Sequence, residues 1–236
     1  MFSHERKVTY SEVSGDGHIS PAQIADYFQD CSCAQSDALD MGFEKMAEMG
    51  CAWILASWQI IIDSYPEYGQ QLQVSTWPYD FNAFYGYRNF ELKDAGGKRL
   101  AVANSLWVMV DTAGGHLMRI TPEMKAIYQF DPKAEMDYGS RKIKMLKDFR
   151  DLGTFRVPGY FIDTNRHMNN ANYIRLAAEY LPEDAVIRQV RVEYVNAAVY
   201  GDEILLKTAE DGGCHQILME NTEGKRLAIV EFITAE

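Results

Sequence analysis

The pentapeptide GKRLA occurs twice in this chain, at 97–101 and 224–228, and it marks a repeat that limits the chain to folds made from two copies of one unit. The surroundings repeat as well. YGQQLQVST (68–76) aligns with YGDEILLKT (200–208), which sets Leu72, Val74 and Thr76 against Ile204, Leu206 and Thr208. Nearer the N-terminus, GHISPAQIADYF (17–28) aligns with RHMNNANYIRLA (166–177), setting His18 against His167. The offset between the copies shrinks along the chain from 149 to 132 to 127, as it would if the first copy carried a longer helix.

In each copy a helical spacing of apolar residues follows the histidine: Ile24, Tyr27, Phe28 and Cys31 in the first, Tyr173, Leu176, Ala177 and Tyr180 in the second. Runs rich in β-branched and aromatic residues then predict strands near 52–64, 71–80, 84–94 and 99–111, with a further strand ending at Ile120. The second copy gives strands near 186–198, 202–210, 214–221 and 226–234. The segment 121–150 has weak periodicity and two prolines, and it reads as a linker. One helix followed by antiparallel strands, given twice, predicts an α+β chain with an N-terminal domain 1–120, a linker 121–150 and a C-terminal domain 151–236. A single unit would leave an unpaired sheet edge and half a core; two side by side solve both problems, like a dimer made from one chain.

With 47% hydrophobic residues in 236, the chain can bury a real core, and its formal charge of −11 argues against a surface made for nucleic acid. One segment runs against that charge: SRKIKMLKDFR (140–150) carries Arg141, Lys142, Lys144, Lys147 and Arg150 against a single Asp148, and is the obvious place to receive an acidic partner. The greasiest run, CAWILASWQIII, is shorter than the roughly 18 apolar residues of a membrane span, and MFSHERKVTYSEV lacks the apolar stretch of a secretory leader. Cys31, Cys33, Cys51 and Cys214 show no CxxC spacing, so a reducing cytoplasm is expected. His4, His18, His116 and His215 show no metal-ligand spacing with one another, and no metal is expected.

The polar stretch DTNRHMNNANY (163–173) stands where the second helix should begin. Asp163, Asn165 and His167 are at i, i+2 and i+4, so an extended segment would point all three to one side, and Asn169 or Asn170 could cap the helix. A carboxylate, an amide, an imidazole titrating near neutrality and a helix N-terminus are the parts needed to activate water and hold an oxyanion. Asx-rich turns before helices are also ordinary capping devices. The repeat supplies an internal comparison: the first copy has Ser14 and Asp16 where the second has Asp163 and Asn165, so the full set belongs to one copy only.

DTNRHMNNANYI resembles the D-x-N-x-H-x-N-N-x-x-Y-I signature of the acyl-ACP (acyl carrier protein) thioesterases, the plant enzymes and their bacterial relatives. The likeness extends over nearly the whole chain, since residues 56–111 are similar to the N-terminal half of that family. The resemblance implies a tandem double hot-dog, two antiparallel sheets each wrapping a helix, with one active site in the C-terminal half. It also implies hydrolysis of fatty acyl-ACP to free fatty acid and ACP, with no metal or organic cofactor. Asp163, Asn165 and His167 fall on the family's catalytic aspartate, asparagine and histidine. Helix N–H groups after His167 would hold the oxyanion, the first copy would shape the acyl pocket, and the basic residues Arg141, Lys142, Lys144 and Lys147 would dock ACP.

One position departs from the pattern: a further acidic residue of the family falls on Ala197, and the cysteine often beside it falls on Ala198. Glu193 is no easy substitute, being four residues away, roughly 13 Å along a strand. Coenzyme A as the carrier, or a protein that binds acyl-ACP without hydrolysing it, remain as alternatives, and association into a homodimer is left open. Trp53, Trp58, Trp77 and Trp107 read as core, with Trp58 a candidate to line an acyl tunnel.

Overall fold

The structure is a computed structural model describing residues 1–235, which divide into two compact units. The first comprises Met1–Ala56 and Ile60–Tyr138, the second Ser57–Gln59 and Gly139–Glu236. In chain order the first carries β1 (Phe2–Lys7), α1 (Pro21–Ala38), α2 (Phe43–Glu48), β2 (Cys51–Ile62), β3 (Gln71–Phe81), β4 (Tyr85–Asp94), β5 (Arg99–Asp111) and α3 (Pro122–Ile127). The second carries β6 (Arg150–Arg156), α4 (Asn170–Ala178), β7 (Ile187–Tyr194), β8 (Glu203–Asp211), β9 (Cys214–Asn221) and β10 (Arg226–Thr234).

The repeat read from the sequence is a repeat of hydrogen bonding. The first unit's sheet runs β1-β3-β4-β5-β2 and the second's, read from its own edge, β6-β8-β9-β10-β7, which is the same order strand for strand. Register agrees residue by residue: Arg6 pairs with Leu72 as Phe155 pairs with Ile204, and Val74 with Leu92 as Leu206 with Met219. Each sheet is antiparallel with one long helix, the hot-dog arrangement, given twice along the chain. Helix α1 has 18 residues and α4 has 9, so helix length accounts for about half of the fall in offset from 149 to 132; α2 and its connections account for the rest of that step, and the β3–β4 hairpin for the later step to 127.

The GKRLA motif has a physical reason in both copies. Gly97 and Gly224 adopt φ of 82° and 75°, a left-handed conformation that glycine reaches without a Cβ clash. That closes the β4–β5 and β9–β10 turns, in which the Asp94 and Asn221 side chains accept the N–H groups of Lys98 and Lys225 at 2.9 Å. Leu100 and Leu227 then sit at a register shift, a bulge that leaves each leucine out of the ladder. Their carbonyls accept two N–H groups apiece: those of Asp63 and Ser64 in the first unit, Val195 and Asn196 in the second.

The helices start and stop for local reasons. Ser20 accepts the Gln23 N–H and Pro21 occupies the first turn of α1, where its missing donor costs nothing. Ile24, Tyr27, Phe28 and Cys31 are all fully buried, as their spacing predicted, and Phe28 packs on Phe90 at 5.2 Å between ring centroids. In α4, Asn169 caps and accepts the Ala171 N–H at 2.9 Å, and Tyr173, Leu176 and Ala177 are buried. Tyr180, expected on that face, is exposed beyond the helix end, because Pro182 lies too close for another turn.

The N-terminal segment 2–7 forms an edge strand that the sequence reading did not assign, and the segment ending at Ile120 makes only a single bridge, Val110 to Leu117. The stretch expected as a linker, 121–150, is packed for much of its length. Trp77 donates to the Pro132 carbonyl at 2.7 Å, and the buried Asn89 side chain accepts from the Ala134 N–H and the Tyr138 hydroxyl. Residues 140–149 form a strap along the second unit: Ile143 is buried against Leu218 and Ile229, with Met145 and Phe149 beside it. Burying one such isoleucine is worth about 1.5–3 kcal/mol.

Candidate active site

Residues 163–167 form a tight turn rather than an extended segment. The Asp163 N–H donates to the His167 carbonyl at 2.8 Å, the Arg166 N–H donates to the Asp163 carbonyl at 3.0 Å, and Ile162 bridges Met168 beyond them. The i, i+2, i+4 spacing therefore brings Asp163 and His167 opposite each other across the turn and puts Asn165 at its exposed tip. The first unit closes the same turn between Ser14 and His18, with Ser14 N–H to His18 carbonyl at 2.8 Å. Gly17 takes the left-handed position there at φ 81°, where the second unit has Arg166 at φ 62°. A side chain at such a φ costs roughly 1 kcal/mol or more, and strain of this kind gathers at functional sites.

Asp163 has a divided role. Its Oδ1 accepts the N–H groups of Asn165 at 2.8 Å and His167 at 3.2 Å and so holds the turn, while Oδ2 accepts no hydrogen bond among the described residues. His167 is half-buried, and among the described residues its ring makes no hydrogen bond or ion pair, with Asp163 or any other residue. In the first unit the acid is displaced to Asp16, whose Oδ1 accepts the His18 N–H at 3.0 Å. A polar turn thus recurs in both units, and Asp16 Oδ2 lies 3.7 Å from His18 Nδ1 in the first, but an acid at the position whose backbone pairs with the histidine stands only in the second. Neither helix needs that acid as a cap, since Ser20 and Asn169 do that work.

Two expectations about the surroundings are corrected. Four of the N–H groups after His167 are already engaged: Met168 donates to the Ala198 carbonyl, Asn169 to the Phe161 carbonyl, Ala171 to the Asn169 side chain and Asn172 to the Asn169 carbonyl. Those four are not open to hold an oxyanion. The strand expected to reach 198 stops at Tyr194, because the next two N–H groups turn to the Leu227 bulge carbonyl. Ala197 is accordingly exposed in irregular chain, one residue from the Ala198 carbonyl that receives the Met168 N–H, and so runs beside the turn. Ala198 donates its N–H to the Tyr173 hydroxyl at 2.9 Å, an acceptor the first unit does not need, since Pro66 has no N–H and Ile24 replaces the tyrosine. Burial pushes the Tyr173 hydroxyl up to about 12, so it stays a neutral partner. Glu193 accepts the Ile143 N–H of the strap at 3.1 Å and is committed there.

Lys142, Lys144 and Lys147 project outward from the strap, alternating with the inward Ile143 and Met145, and Arg141 is exposed beside them. The strap is held through its backbone: Leu146 donates to the Gln216 side chain, whose amide donates back to the Lys144 carbonyl. A small open cavity, about 360 Å³ with the solvent in its mouth counted, lies in the first unit. Trp53, Phe81, Trp107 and Tyr128 form its aromatic wall and Arg88 its charged side. Trp53 and Trp107, expected in the core, are therefore cavity residues; Trp58 and Trp77 are buried. Composition alone hides this cavity, although an arginine amid the aromatic residues of a β-strand (Tyr85, Tyr87, Phe90) was a usable signal. Among the described residues no group of three or more His, Cys, Asp or Glu side chains is placed to hold a metal.

The family model described as the acyl-ACP thioesterase N-terminal domain matches residues 1–128, and that of the acyl-ACP thioesterase C-terminal domain matches 147–232. The chain is 23% identical over 237 residues to oleoyl-acyl carrier protein thioesterase 1, chloroplastic, of Arabidopsis thaliana, covering 90% of this chain and 66% of that one. It spans about half to two thirds of the length of the curated relatives it matches. In fold it is similar to an acyl-ACP thioesterase from Bacteroides thetaiotaomicron, with a TM-score of 0.90, 19% identity and 99% and 97% of the two chains covered. It is likewise similar to the 12:0-ACP thioesterase of Umbellularia californica, with a TM-score of 0.86, 19% identity and coverage of 99% and 96%.

Proposed function

The chain belongs to the acyl-ACP thioesterase family, and from that premise we propose that it hydrolyses fatty acyl-ACP to free fatty acid and ACP. The observation that carries the reading is the turn in which Asp163 faces His167, with Oδ1 anchored and Oδ2 left available, in one unit of two. Asp163 acts through Oδ2 as base for water or as nucleophile on the carbonyl carbon. With water, the proton goes to Oδ2, the water oxygen bonds the carbonyl carbon, the C–S bond breaks and the thiolate leaves with a proton. His167 passes that proton in this reading, and the Asn165 amide and the His167 ring donate to the carbonyl oxygen. The first unit's cavity receives acyl chain. Arg141, Lys142, Lys144 and Lys147 give an otherwise acidic protein a patch for acidic ACP. Four free cysteines fit a reducing cytoplasm.

The test is incubation of the purified protein with a panel of acyl-ACPs and the matched acyl-CoAs, following thiol release and identifying the acids. Thiol release from acyl-ACP with the higher kcat/KM is expected. Release only from acyl-CoA would move the carrier, and binding of acyl-ACP without release would overturn the enzymatic reading.

A further inference from the structure

We infer that the segment 195–200, together with Tyr160, is the surface on which the phosphopantetheine arm of ACP lies while its thioester is at the candidate active-site turn. The two units treat this place differently. In the first, the turn is zipped to the segment after β2: the Ile19 N–H donates to the Pro66 carbonyl at 3.0 Å, the Tyr68 N–H donates to the Gly17 carbonyl at 2.9 Å, and His18 bridges Glu67. In the second, only the counterpart of the first bond is made, Met168 N–H to Ala198 carbonyl at 2.8 Å. The Tyr200 N–H and the Arg166 carbonyl stand where those of Tyr68 and Gly17 stand, and among the described residues they make no hydrogen bond. One backbone donor and one backbone acceptor are thus left open next to His167.

The side chains change in the same direction. The first unit's segment reads DSYPEY (63–68), with Asp63 paired to Arg99 at 2.7 Å and Glu67 opposite His18; the second unit's reads VNAAVY (195–200) and carries no charge. Val199, at the position of Glu67, is 42% exposed, Tyr200 70% and Tyr160 83%. The Tyr200 ring lies against Gly159, where a Cβ would meet it at 3.8 Å, so it adjoins the chain that carries Tyr160 into the turn. Among the described residues neither hydroxyl makes a hydrogen bond. The first unit has a matching exposed pair, Tyr10 and Tyr68, but those rings stack edge to face, 6.4 Å between centroids, beside a turn that is zipped shut. Exposed apolar and aromatic side chains gathered at one place mark a contact surface. This one is also held ready: Val195 and Asn196 donate to the Leu227 carbonyl, Ala198 to the Tyr173 hydroxyl and Val199 to the Asp202 carboxylate.

The occupant follows from the reaction, and the inference deepens the thioesterase reading and rests on it for the place of the carbonyl. With that carbonyl at Asp163 and the sulfur leaving toward His167, the next atoms of the substrate belong to the arm: methylenes, an amide, more methylenes, a second amide and a dimethyl-bearing carbon. The arm is uncharged up to its terminal phosphate, as the segment is. Its methylenes and methyls suit Val199 and the tyrosine faces, and its amides suit the open Tyr200 N–H, the Arg166 carbonyl and the two hydroxyls. Apo-ACP and holo-ACP differ only by the arm, so both are titrated by calorimetry into the wild type, Tyr160→Ala/Tyr200→Ala and Val199→Ser. The wild type should bind holo-ACP at least about fivefold more tightly than apo-ACP, and the double variant should bind the two within about twofold of each other. Tyr10→Ala/Tyr68→Ala should keep the full preference. Val199→Ser should retain only part of it, and becomes the deciding variant if the double variant does not fold. Equal binding of the two forms by the wild type, or full preference in both altered surfaces, would overturn the inference. So would loss of binding to phosphatidylcholine vesicles, or of self-association, in the double variant with the holo-ACP preference intact, which would give the surface to a lipid or to a second copy of the chain.

Kinetics separate this inference from the reading it rests on. The values of kcat/KM are compared for octanoyl-pantetheine and for the octanoyl thioester of mercaptoethanol, which has the sulfur and its methylenes but no amide. The wild type should prefer the pantetheine thioester by at least about fivefold, chiefly through KM, and Tyr160→Ala/Tyr200→Ala should lose that preference. Hydrolysis of both thioesters with equal kcat/KM would sink the arm surface and leave the thioesterase reading standing. A holo-ACP preference that the double variant loses, with no hydrolysis of either thioester, would do the reverse.

Discussion

Asp163 uses one carboxylate oxygen to hold a turn and keeps the other, which tells how its substitution should be designed. Asparagine retains an oxygen for the Asn165 and His167 N–H groups, so Asp163→Asn should fold with nearly the wild-type melting temperature and lose acyl-ACP hydrolysis by more than about tenfold, within the 10²–10⁴ range of acid–base groups. His167→Ala should match it in steady-state assays and His18→Ala should leave the rate nearly unchanged; equal losses at both histidines would reduce the motif to a fold element. Arg166 offers a test of strain: Arg166→Gly, which copies Gly17, should raise stability by up to about 1 kcal/mol in urea unfolding. At this scale the residue types in DTNRH were legible from the sequence, but their geometry was not. Alternating spacing suits an extended segment as well as a turn, and the turn is decided by the Asp163 and His167 backbone pairing and the left-handed residue between them.

Among the elements, those with buried faces were legible and those without were not. Strands β3, β4, β5, β9 and β10 bury alternate or continuous apolar runs and fall where patterning placed them, within a residue or two. Edge strands β1 and β6 bury no residue fully and carry three charges each, Glu5, Arg6 and Lys7 in β1 and Arg150, Asp151 and Arg156 in β6, so their sequences look like loops until their partners β3 and β8 are known. The end of β7 was equally hidden, since it depends on a carbonyl freed by a bulge in another strand. The two GKRLA turns make a matched experiment. Gly97→Ala and Gly224→Ala meet no neighbouring atom within 4 Å but force a Cβ into left-handed φ, so each should cost about 1–2 kcal/mol in chemical denaturation. Neither should alter turnover per folded molecule. A cost at one turn only would show that the copies do not share the same mechanics.

For the whole molecule, duplication was the most legible property and electrostatics the most informative about a partner. Shrinking offsets gave two copies of one unit before any strand was assigned, because insertions in a helix or connection leave sheet register intact. The cavity with Arg88 could not be seen that way, as its lining comes from α1, β2, β3, β4, β5 and the chain after α3. A chain of net charge −11 repels an acidic carrier protein unless positive charge is concentrated somewhere, and the strap's outward lysines are the densest such place. The strap is fixed by backbone hydrogen bonds and by Ile143, so reversing Lys142, Lys144 and Lys147 to glutamate should leave it in place. KM for acyl-ACP should then rise about threefold to tenfold at low ionic strength with kcat nearly constant, and the difference from wild type should narrow as salt screens the surface over a Debye length of about 8–10 Å. Hydrolysis of a small acyl thioester without the carrier should be unchanged, which separates docking from damage to the second unit. Equal loss on both substrates would make the strap a structural element alone and put the carrier on another face.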